Sequence, residues 1–285
     1  MRISRLPLIS AVLALVLAAC GGGGSDSGSR NGADPGTVHV LYAGSLVNLM
    51  EHDLGPAFEK ASGGTFQGYG GGSSKIANEI TGKVRRGDVF ISASPKVNDT
   101  LGPKYVGWYG TFATAPLLLG YNPRSKFAHD LKTKPWNEVI TEPGIRVGRT
   151  DPELDPKGKL TVQAFERIGA AFATKAEKSV PVLPEEDLVG RLQAGQLDAA
   201  FFYSSESTET KIPTVDLGPV KLAATYTVTV LKNAENPSGG ADFVKYLLGP
   251  NGRRLLQKHG LKLSQPTVTG APSQVPEALR KTLVR

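Results

Sequence analysis

Residues 37–60 read TVHVLYAGSLVNLMEHDLGPAFEK, and this stretch sets the pattern for the rest of the chain. Its first six residues, TVHVLY, are dominated by β-forming side chains and predict a strand. From residue 46 onwards apolar residues recur at close to helical spacing, which predicts a helix over 46–60. The intervening residues Ala43, Gly44 and Ser45 therefore form a short turn from a strand into a helix.

The same alternation of strand and helix continues along the chain. Further strands are predicted at 65–69, 88–93, 145–148, 199–203 and 221–231, and further helices at 73–84, 158–173, 239–248 and 251–259. Such alternation predicts an α/β fold with a mostly parallel sheet. The apolar segment 112–121 can carry the chain into a second lobe, from which 221–231 can return. In such folds ligands bind at the carboxyl ends of strands, where helix N-termini point.

The N-terminus has the features of an export signal. Arg2 and Arg5 precede an almost uninterrupted apolar run over 6–19. This run is shorter than the roughly 20 apolar residues of a membrane span, so a cleaved signal peptide is predicted. Residues 17–20 read LAAC and resemble the lipobox of bacterial lipoproteins, which predicts lipid attachment to Cys20. The alternative is an ordinary signal peptide whose cysteine is incidental.

Residues 20–36 are rich in glycine and serine and contain no large apolar residue, so they are predicted to be a flexible linker. The folded body then covers 37–285. Cys20 is the chain's single cysteine, which excludes an internal disulfide. The net charge of +7 is compatible with an anionic ligand or an anionic membrane surface. Because the sequence has no dense run of Lys or Arg and is predicted to be exported, no nucleic-acid partner is expected.

Two glycine–serine pairs lie where strands turn into helices. Ser45 follows Gly44 after the first strand, and Ser73 follows Gly72 after the second. Glycine lets a backbone approach a ligand closely, and a helix N-terminus offers free N–H groups to an anion. Two such turns facing one cleft would form a neutral pocket rich in hydrogen-bond donors. The alternative is that each serine only caps its own helix.

Other kinds of chemistry find little support in the sequence. The four histidines, at positions 39, 52, 129 and 259, lack metal-ligand spacing, so no metal site and no cofactor are expected. There is no Walker motif and no Gly-x-Ser-x-Gly elbow. A serine hydrolase that uses Ser73 is therefore a minor alternative to a binding protein, as is a lipoprotein that only contacts other proteins. The chain is not expected to be an enzyme.

Five segments resemble the substrate-binding proteins of molybdate and tungstate ABC importers. In chain order they read LYAGSLVNLM, GGGSSKIANEI followed by GDVFISAS, GRTDPELDPKGK, EEDLVGRLQAGQLDAAFFYSS and VKYLLGPNGRRLLQKHG. The resemblance covers nearly the whole chain after the signal. It implies a two-lobed periplasmic-binding-protein fold with the oxyanion held between the lobes. Residues 37–115 and 225–285 would form the first lobe and 116–224 the second.

The resemblance also implies a set of binding residues. Ser45 and Ser73 match the two ligand serines of the family, with the adjacent Ser74 as an alternative to Ser73. Tyr203 matches the tyrosine whose hydroxyl reaches the oxyanion. Residues at two further positions, Lys157 and Leu188, match sites that offer backbone N–H donors.

Two positions bear on the branch of the family. Asp155 stands where a carboxylate approaches the metal in the tungstate-type branch, but it could instead cap the helix that follows. Phe202 stands where that branch has a glutamate. The departure at Phe202 favours an oxyanion held by hydrogen bonds over one bound through its metal atom.

The resemblance implies an extracytoplasmic protein that delivers molybdate or tungstate to an ABC permease and its ATPase. Together with the lipobox, it leads us to expect a monomer anchored to the cell membrane through Cys20. Sulfate, thiosulfate, phosphate or ferric iron are alternative ligands for the same fold. Ferric iron is disfavoured because ferric-binding proteins show adjacent tyrosines, and Tyr203 and Tyr226 are not adjacent.

Overall fold

The computed structural model of the chain describes residues 36–283, apart from the side chain of Glu186. The predicted signal peptide, Cys20 and nearly all of the linker therefore lie outside the described residues. Within the described part, no helix combines the length and the apolar character needed to cross a membrane.

The described residues form a nine-stranded sheet. Its strands are β1 Thr37–Ala43, β2 Thr65–Gly71, β3 Val89–Ser92, β4 Trp108–Tyr121, β5 Val147–Gly148, β6 Ala199–Tyr203, β7 Thr214–Val215, β8 Ala223–Val230 and β9 Lys262–Gly270. The strand order is β2-β1-β3-β8-β4-β6-β5, and β7 and β9 also pair with β4.

Twelve α-helices cover the sheet in the described part of the chain. They are α1 Gly55–Ser62, α2 Ser73–Thr81, α3 Pro95–Leu101, α4 Ala128–Thr133, α5 Trp136–Val139, α6 Pro156–Ile168, α7 Ala170–Ser179, α8 Glu185–Gln193, α9 Ser204–Thr210, α10 Pro237–Leu248, α11 Pro250–Lys258 and α12 Glu277–Leu283. Short 3-10 turns cover Gly44–Leu46 and Pro272–Gln274.

The helix predicted over 46–60 is divided. A π-helical segment, Leu49–Leu54, precedes α1, and the N–H of Gly55 bonds to the carbonyl of Met50, five residues earlier. Pro56, in the first turn of α1, has no N–H to give to an α-helical bond. The proline therefore explains why one regular helix does not run through this region.

The α/β class is confirmed, but the expectation of a mostly parallel sheet is wrong. Parallel pairing joins β1 to β2 and β3, and β5 to β6. The long strands β4 and β8 are antiparallel to their partners. The antiparallel pairs arise because β4 leaves the first half of the sheet and β8 returns to it.

The sheet divides at β4 into the two lobes of the fold. The first part of β4 pairs with β8 and β9, and its second part pairs with β6 and β7. We use first lobe for β1–β3, β9 and helices α1–α3 and α10–α12, and second lobe for β5–β7 and α4–α9. The boundaries predicted after residues 115 and 224 fall inside β4 and β8, and these positions stay a prediction.

Aromatic side chains fill the interior of each lobe. In the first lobe, the rings of Phe58 and Phe243 pack edge to face at 5.1 Å. In the second, Phe165 packs against Phe201 of β6 at 5.5 Å, and Trp136 packs against both. Such pairs stabilise a core beyond the area they bury. The packed interiors hold fixed the strand ends from which the cleft residues emerge.

Candidate functional site

The first lobe presents two serines at one edge of the sheet. β1 and β2 are parallel, and Ala43 pairs with Gly71, so Ser45 and Ser73 each follow a paired strand end by two residues. Both side chains are buried. The hydroxyl of Ser45 lies 2.8 Å from that of Tyr226 on β8, and the hydroxyl of Ser73 accepts the N–H of Ala93 at 3.1 Å.

Each serine hydroxyl has its hydrogen-bond partner outside its own helix. The N-cap residues of the two helical segments are Ala43 and Gly72, so neither serine stands at the capping position and the capping alternative is not supported. The neighbouring Ser74 is partly exposed and lines a separate pocket of about 200 Å³ between α3 and α6. Ser73 is thus the buried member of the pair.

The second lobe contributes Asp155 at the start of α6. One oxygen, Oδ1, accepts the N–H of Lys157 at 3.1 Å, so Asp155 does cap this helix. The other oxygen, Oδ2, is buried without a hydrogen bond of normal geometry to any described residue. Burial, and then the carboxylate of Glu185, raise the pKa of Asp155 to about 8, against a lowering by Lys157 and the Thr150 hydroxyl.

Lys157 is completely buried, and its ammonium forms two ion pairs. Its Nζ lies 2.8 Å from Oε1 of Glu206 and 3.0 Å from Oε1 of Glu185. Burial alone would lower the pKa of Lys157, but the two carboxylates outweigh it and the pKa is raised. Burial also raises the pKa of Glu206. The cleft thus sets three buried carboxyl groups, those of Asp155, Glu185 and Glu206, against one ammonium.

Tyr203 ends β6 and is fully buried. Its hydroxyl has no hydrogen-bond partner among the described residues, and its ring lies 6.4 Å from that of Tyr226. Burial, and then the nearby Asp155 carboxylate, raise the pKa of the phenol, so Tyr203 keeps its proton and can donate it. A buried donor without a partner is costly unless a ligand pairs with it.

The lobes touch along the cleft. The N–H of Lys75 in the first lobe donates to the carbonyl of Leu154 in the second at 2.9 Å. Gly44 has no space for a side chain, because an added Cβ would collide with the carboxylate of Glu185. A pocket of about 290 Å³ lies beside Asp155 and Glu185. The structure therefore shows the cleft closed, with Glu185 reaching across to the first lobe.

Leu188 lies in the first turn of α8, as its fourth residue. Its side chain belongs to an apolar cluster with Leu192 and Phe202. The N–H of Lys157 donates to Oδ1 of Asp155. The roles of both backbone N–H groups as ligand donors stay predictions.

Most of the chain matches one family of known proteins. Residues 38–262 match the bacterial extracellular solute-binding proteins, which is most of the chain. The chain belongs to this family. Membership confirms the predicted resemblance to importer binding proteins at the level of the family, and it places the folded body of this solute-binding protein outside the cytoplasm.

Individual relatives agree with the family. The chain is 24% identical to the molybdate/tungstate-binding protein WtpA of Pyrococcus abyssi, over 95% of each chain. It is 30% identical to a putative ABC transporter molybdenum-binding protein of Haloferax volcanii, over 65% of this chain and 61% of that one. An uncharacterized solute-binding protein of Petrotoga mobilis is 26% identical, over 86% of this chain and 90% of that one.

Solved structures share the two-lobed fold. The periplasmic molybdate-binding protein of Azotobacter vinelandii superposes with a TM-score of 0.66 at 19% identity, over 80% of this chain and all of that one. The sulfate-binding protein SubI of Mycobacterium tuberculosis superposes with a TM-score of 0.60 at 14% identity, over 79% of this chain and 86% of that one. At these identities the likeness confirms the fold alone.

Three residues of this solute-binding protein's cleft are not predicted from the sequence. Its pattern suggests Tyr226 only as a ligand for iron, and it does not indicate Glu185 or Glu206 as cleft residues. Glu206 could have been found, because it stands three residues after Tyr203 and accepts its N–H, as in a capping box. Glu185 begins a helix, which by itself gives no sign that its carboxylate reaches Gly44.

Proposed function

We propose that this solute-binding protein captures a tetrahedral oxyanion, molybdate or tungstate, for an ABC importer, and that lipid on Cys20 anchors it to the membrane. The observation that carries the proposal is the fully buried hydroxyl of Tyr203, unpaired within the described part of the chain, beside the Ser45–Tyr226 pair. The names of the relatives in Pyrococcus and Haloferax support the choice of ligand. Binding without catalysis is what this donor set supports.

The donors come from both lobes. Ser45 and Ser73 belong to the first lobe, Tyr203 to the second, and Tyr226 to β8, which joins them. Hydroxyl groups hold an oxyanion without adding a full positive charge, so affinity depends on completing the set. A ligand that contacts both lobes favours the closed form. Closure then provides the signal by which a permease and its ATPase recognise a loaded monomer.

The proposed anionic ligand would lie close to carboxyl groups of the cleft. The free oxygens of Asp155 and Glu185 would repel a dianion if both were ionised. Because the pKa of Asp155 is raised to about 8, this carboxyl carries a proton at neutral pH and can donate to an oxyanion oxygen. Phe202 supplies no carboxylate, but Glu185 and Glu206 do. The absence of a glutamate at 202 therefore does not by itself exclude bonding to the metal atom.

Calorimetric titration with molybdate, tungstate, sulfate and phosphate tests the proposal. We expect molybdate or tungstate to bind most tightly. Replacing Tyr203→Phe removes one hydrogen bond to a charged ligand, worth about 1.5–3 kcal/mol, and should weaken binding at least tenfold. Tyr121→Phe, on the same sheet but away from the cleft, is the matched control. Absence of both heat and thermal shift with every oxyanion would overturn the proposal.

The coordination of the bound ligand needs a second measurement. X-ray absorption at the tungsten or molybdenum edge distinguishes four oxygen neighbours from six. Four neighbours support capture by hydrogen bonds alone. Six neighbours would show that carboxylate oxygens of Asp155 or Glu185 bond to the metal atom, and the hydrogen-bonded mode would then be wrong.

A further inference from the structure

A second polar contact between the lobes lies outside the cleft. His259, directly after α11 in the first lobe, is buried between two carboxylates. Its Nε2 lies 2.5 Å from Oδ2 of Asp53, in the π-helical segment of the first lobe. Its Nδ1 lies 2.5 Å from Oε1 of Glu209, on α9 of the second lobe. The imidazole therefore bridges the two lobes.

The bridge requires a proton that a neutral ring cannot supply. Neutral imidazole carries one N–H and can donate to one carboxylate, whereas the imidazolium ion donates to both. With Asp53 and Glu209 both ionised, the observed geometry needs the charged ring. If the ring is neutral, one carboxyl must hold the proton instead. In either case the closed arrangement keeps one proton more than a neutral ring and two separate carboxylates.

The charged groups around His259 agree with one additional proton in the closed arrangement. Burial raises the pKa of Glu209, and the side chain of Asn48 also faces this carboxyl. The hydrogen bond from His259 lowers the pKa of Asp53, which is further paired with Lys258 at 3.1 Å. One ammonium and the imidazole thus face two carboxylates, and a protonated ring leaves no net charge in the group.

Packing next to the bridge depends on closure too. Gly260 has a φ of 77° and approaches α9 so closely that an added Cβ would collide with the Thr208 side chain. Helix α9 begins directly after Tyr203 of the cleft and carries Glu209 near its other end. A movement of α9 therefore changes the ligand cleft and the His259 bridge together.

We propose that Asp53, His259 and Glu209 form an inter-lobe clasp that positions the closed form, so that closure around a ligand takes up a proton at the clasp. The inference rests on the proposed function in one respect, namely that ligand binding closes the lobes. It adds affinity-determining residues that do not contact the ligand.

The sign of the pH dependence follows from the clasp. The closed clasp holds one proton more than the separated groups, so lowering the pH favours the closed form and raising the pH favours the open form. Loss of the clasp should weaken molybdate binding about tenfold at pH 6, comparable to one charge-assisted hydrogen bond, and much less at pH 9.

Titration of molybdate at pH 7.5, in two buffers of different ionisation enthalpy, measures the proton taken up. We expect the wild type to take up protons on binding molybdate and His259→Gln to take up fewer. His129→Gln, which alters an exposed histidine of α4, should take up as many protons as the wild type. Adding Asp155→Asn to each of these proteins removes the contribution of the cleft, so that the proton taken up at the clasp is measured alone. Equal uptake by wild type and His259→Gln would overturn the clasp.

Glu209→Gln is a second variant that distinguishes the clasp from simple packing. A neutral His259 can donate to Asp53 through Nε2–H and accept an N–H of the introduced amide at Nδ1, so the bridge persists without the extra proton. Binding at pH 7.5 should then be kept while proton uptake at the clasp disappears. Uptake that survives this change would also contradict the proposal.

Small-angle X-ray scattering of the ligand-free protein distinguishes a failure of the clasp from a failure of the proposed oxyanion binding. If no oxyanion binds, the proposed function fails, but the clasp is still testable from the radius of gyration. Wild type should become more compact between pH 9 and pH 6, and His259→Gln should not. Identical pH responses of the two proteins would refute the clasp whatever the ligand is.

Discussion

The ammonium of Lys157 ties together the first turns of three helices. Lys157 lies at the start of α6, and its partners Glu185 and Glu206 lie in the first turns of α8 and α9. Carboxylates are favoured near helix N-termini, so the start of each helix is a favourable position for its acid. Removing the ammonium would leave two buried carboxyl groups close together without a counter-ion.

We therefore predict that Lys157→Met destabilises the protein by about 3–5 kcal/mol, as expected for breaking a buried ion pair from one side. Urea denaturation at pH 7 measures the change in the free energy of unfolding. The exposed neighbour Lys159→Met is the control and should change it by less than about 0.5 kcal/mol. Equal stabilities of the two variants would show that the buried pairs contribute little.

Asp155 should make oxyanion affinity depend on pH. Its carboxyl, with a pKa of about 8, is protonated and donating at pH 6.5, and it is ionised and repulsive at pH 9.5. We expect the affinity for molybdate to fall as the pH rises through about 8. Asp155→Asn keeps a neutral donor and a capping oxygen, so its affinity should stay nearly constant over this range apart from the contribution of His259. An unchanged pH profile in Asp155→Asn would assign the effect to another group.

At the level of elements, the turn between β1 and the 3-10 segment Gly44–Leu46 controls how closely the lobes approach. Gly44→Ala would place a methyl group against Glu185 and hinder closure. We predict at least tenfold weaker binding with little change in the thermal midpoint, because the clash exists only between lobes. Gly190→Ala in α8, where a Cβ meets no neighbour among the described residues, is the control. A large drop in thermal midpoint for Gly44→Ala would point to a folding role instead.

The sequence predicted the parts of the site that depend on local signals. Strands ending in a Gly–Ser turn placed Ser45 and Ser73 at one edge, and the capping pattern of Asp155 was correct for one of its oxygens. Contacts between distant segments left no such signal. Glu185 meets Lys157 and Gly44 only after α6 and α8 have packed and the lobes have closed. The antiparallel pairing of β4 and β8 likewise depends on the path of the whole chain, which leaves the first half of the sheet along β4 and returns along β8.

For the whole molecule, the shared strands should make unfolding cooperative. β4 runs for 14 residues and pairs with strands of both lobes, and β8 joins β3 to it. We predict one thermal transition without ligand, with the same midpoint by near-UV and far-UV circular dichroism. Two separated transitions would mean that the lobes unfold independently.

The burial of β4 also affects where proteases can cleave this protein. Between the lobes, β4 is a hydrogen-bonded strand that is buried along most of its length, so it offers a protease no extended, exposed segment there. A fragment that ended within β4 would keep one set of its partners and lose the other, exposing unpaired strand edges. Limited proteolysis of the folded chain should therefore trim surface loops rather than release a lobe. A stable one-lobe fragment cannot be obtained by cutting at the predicted boundaries.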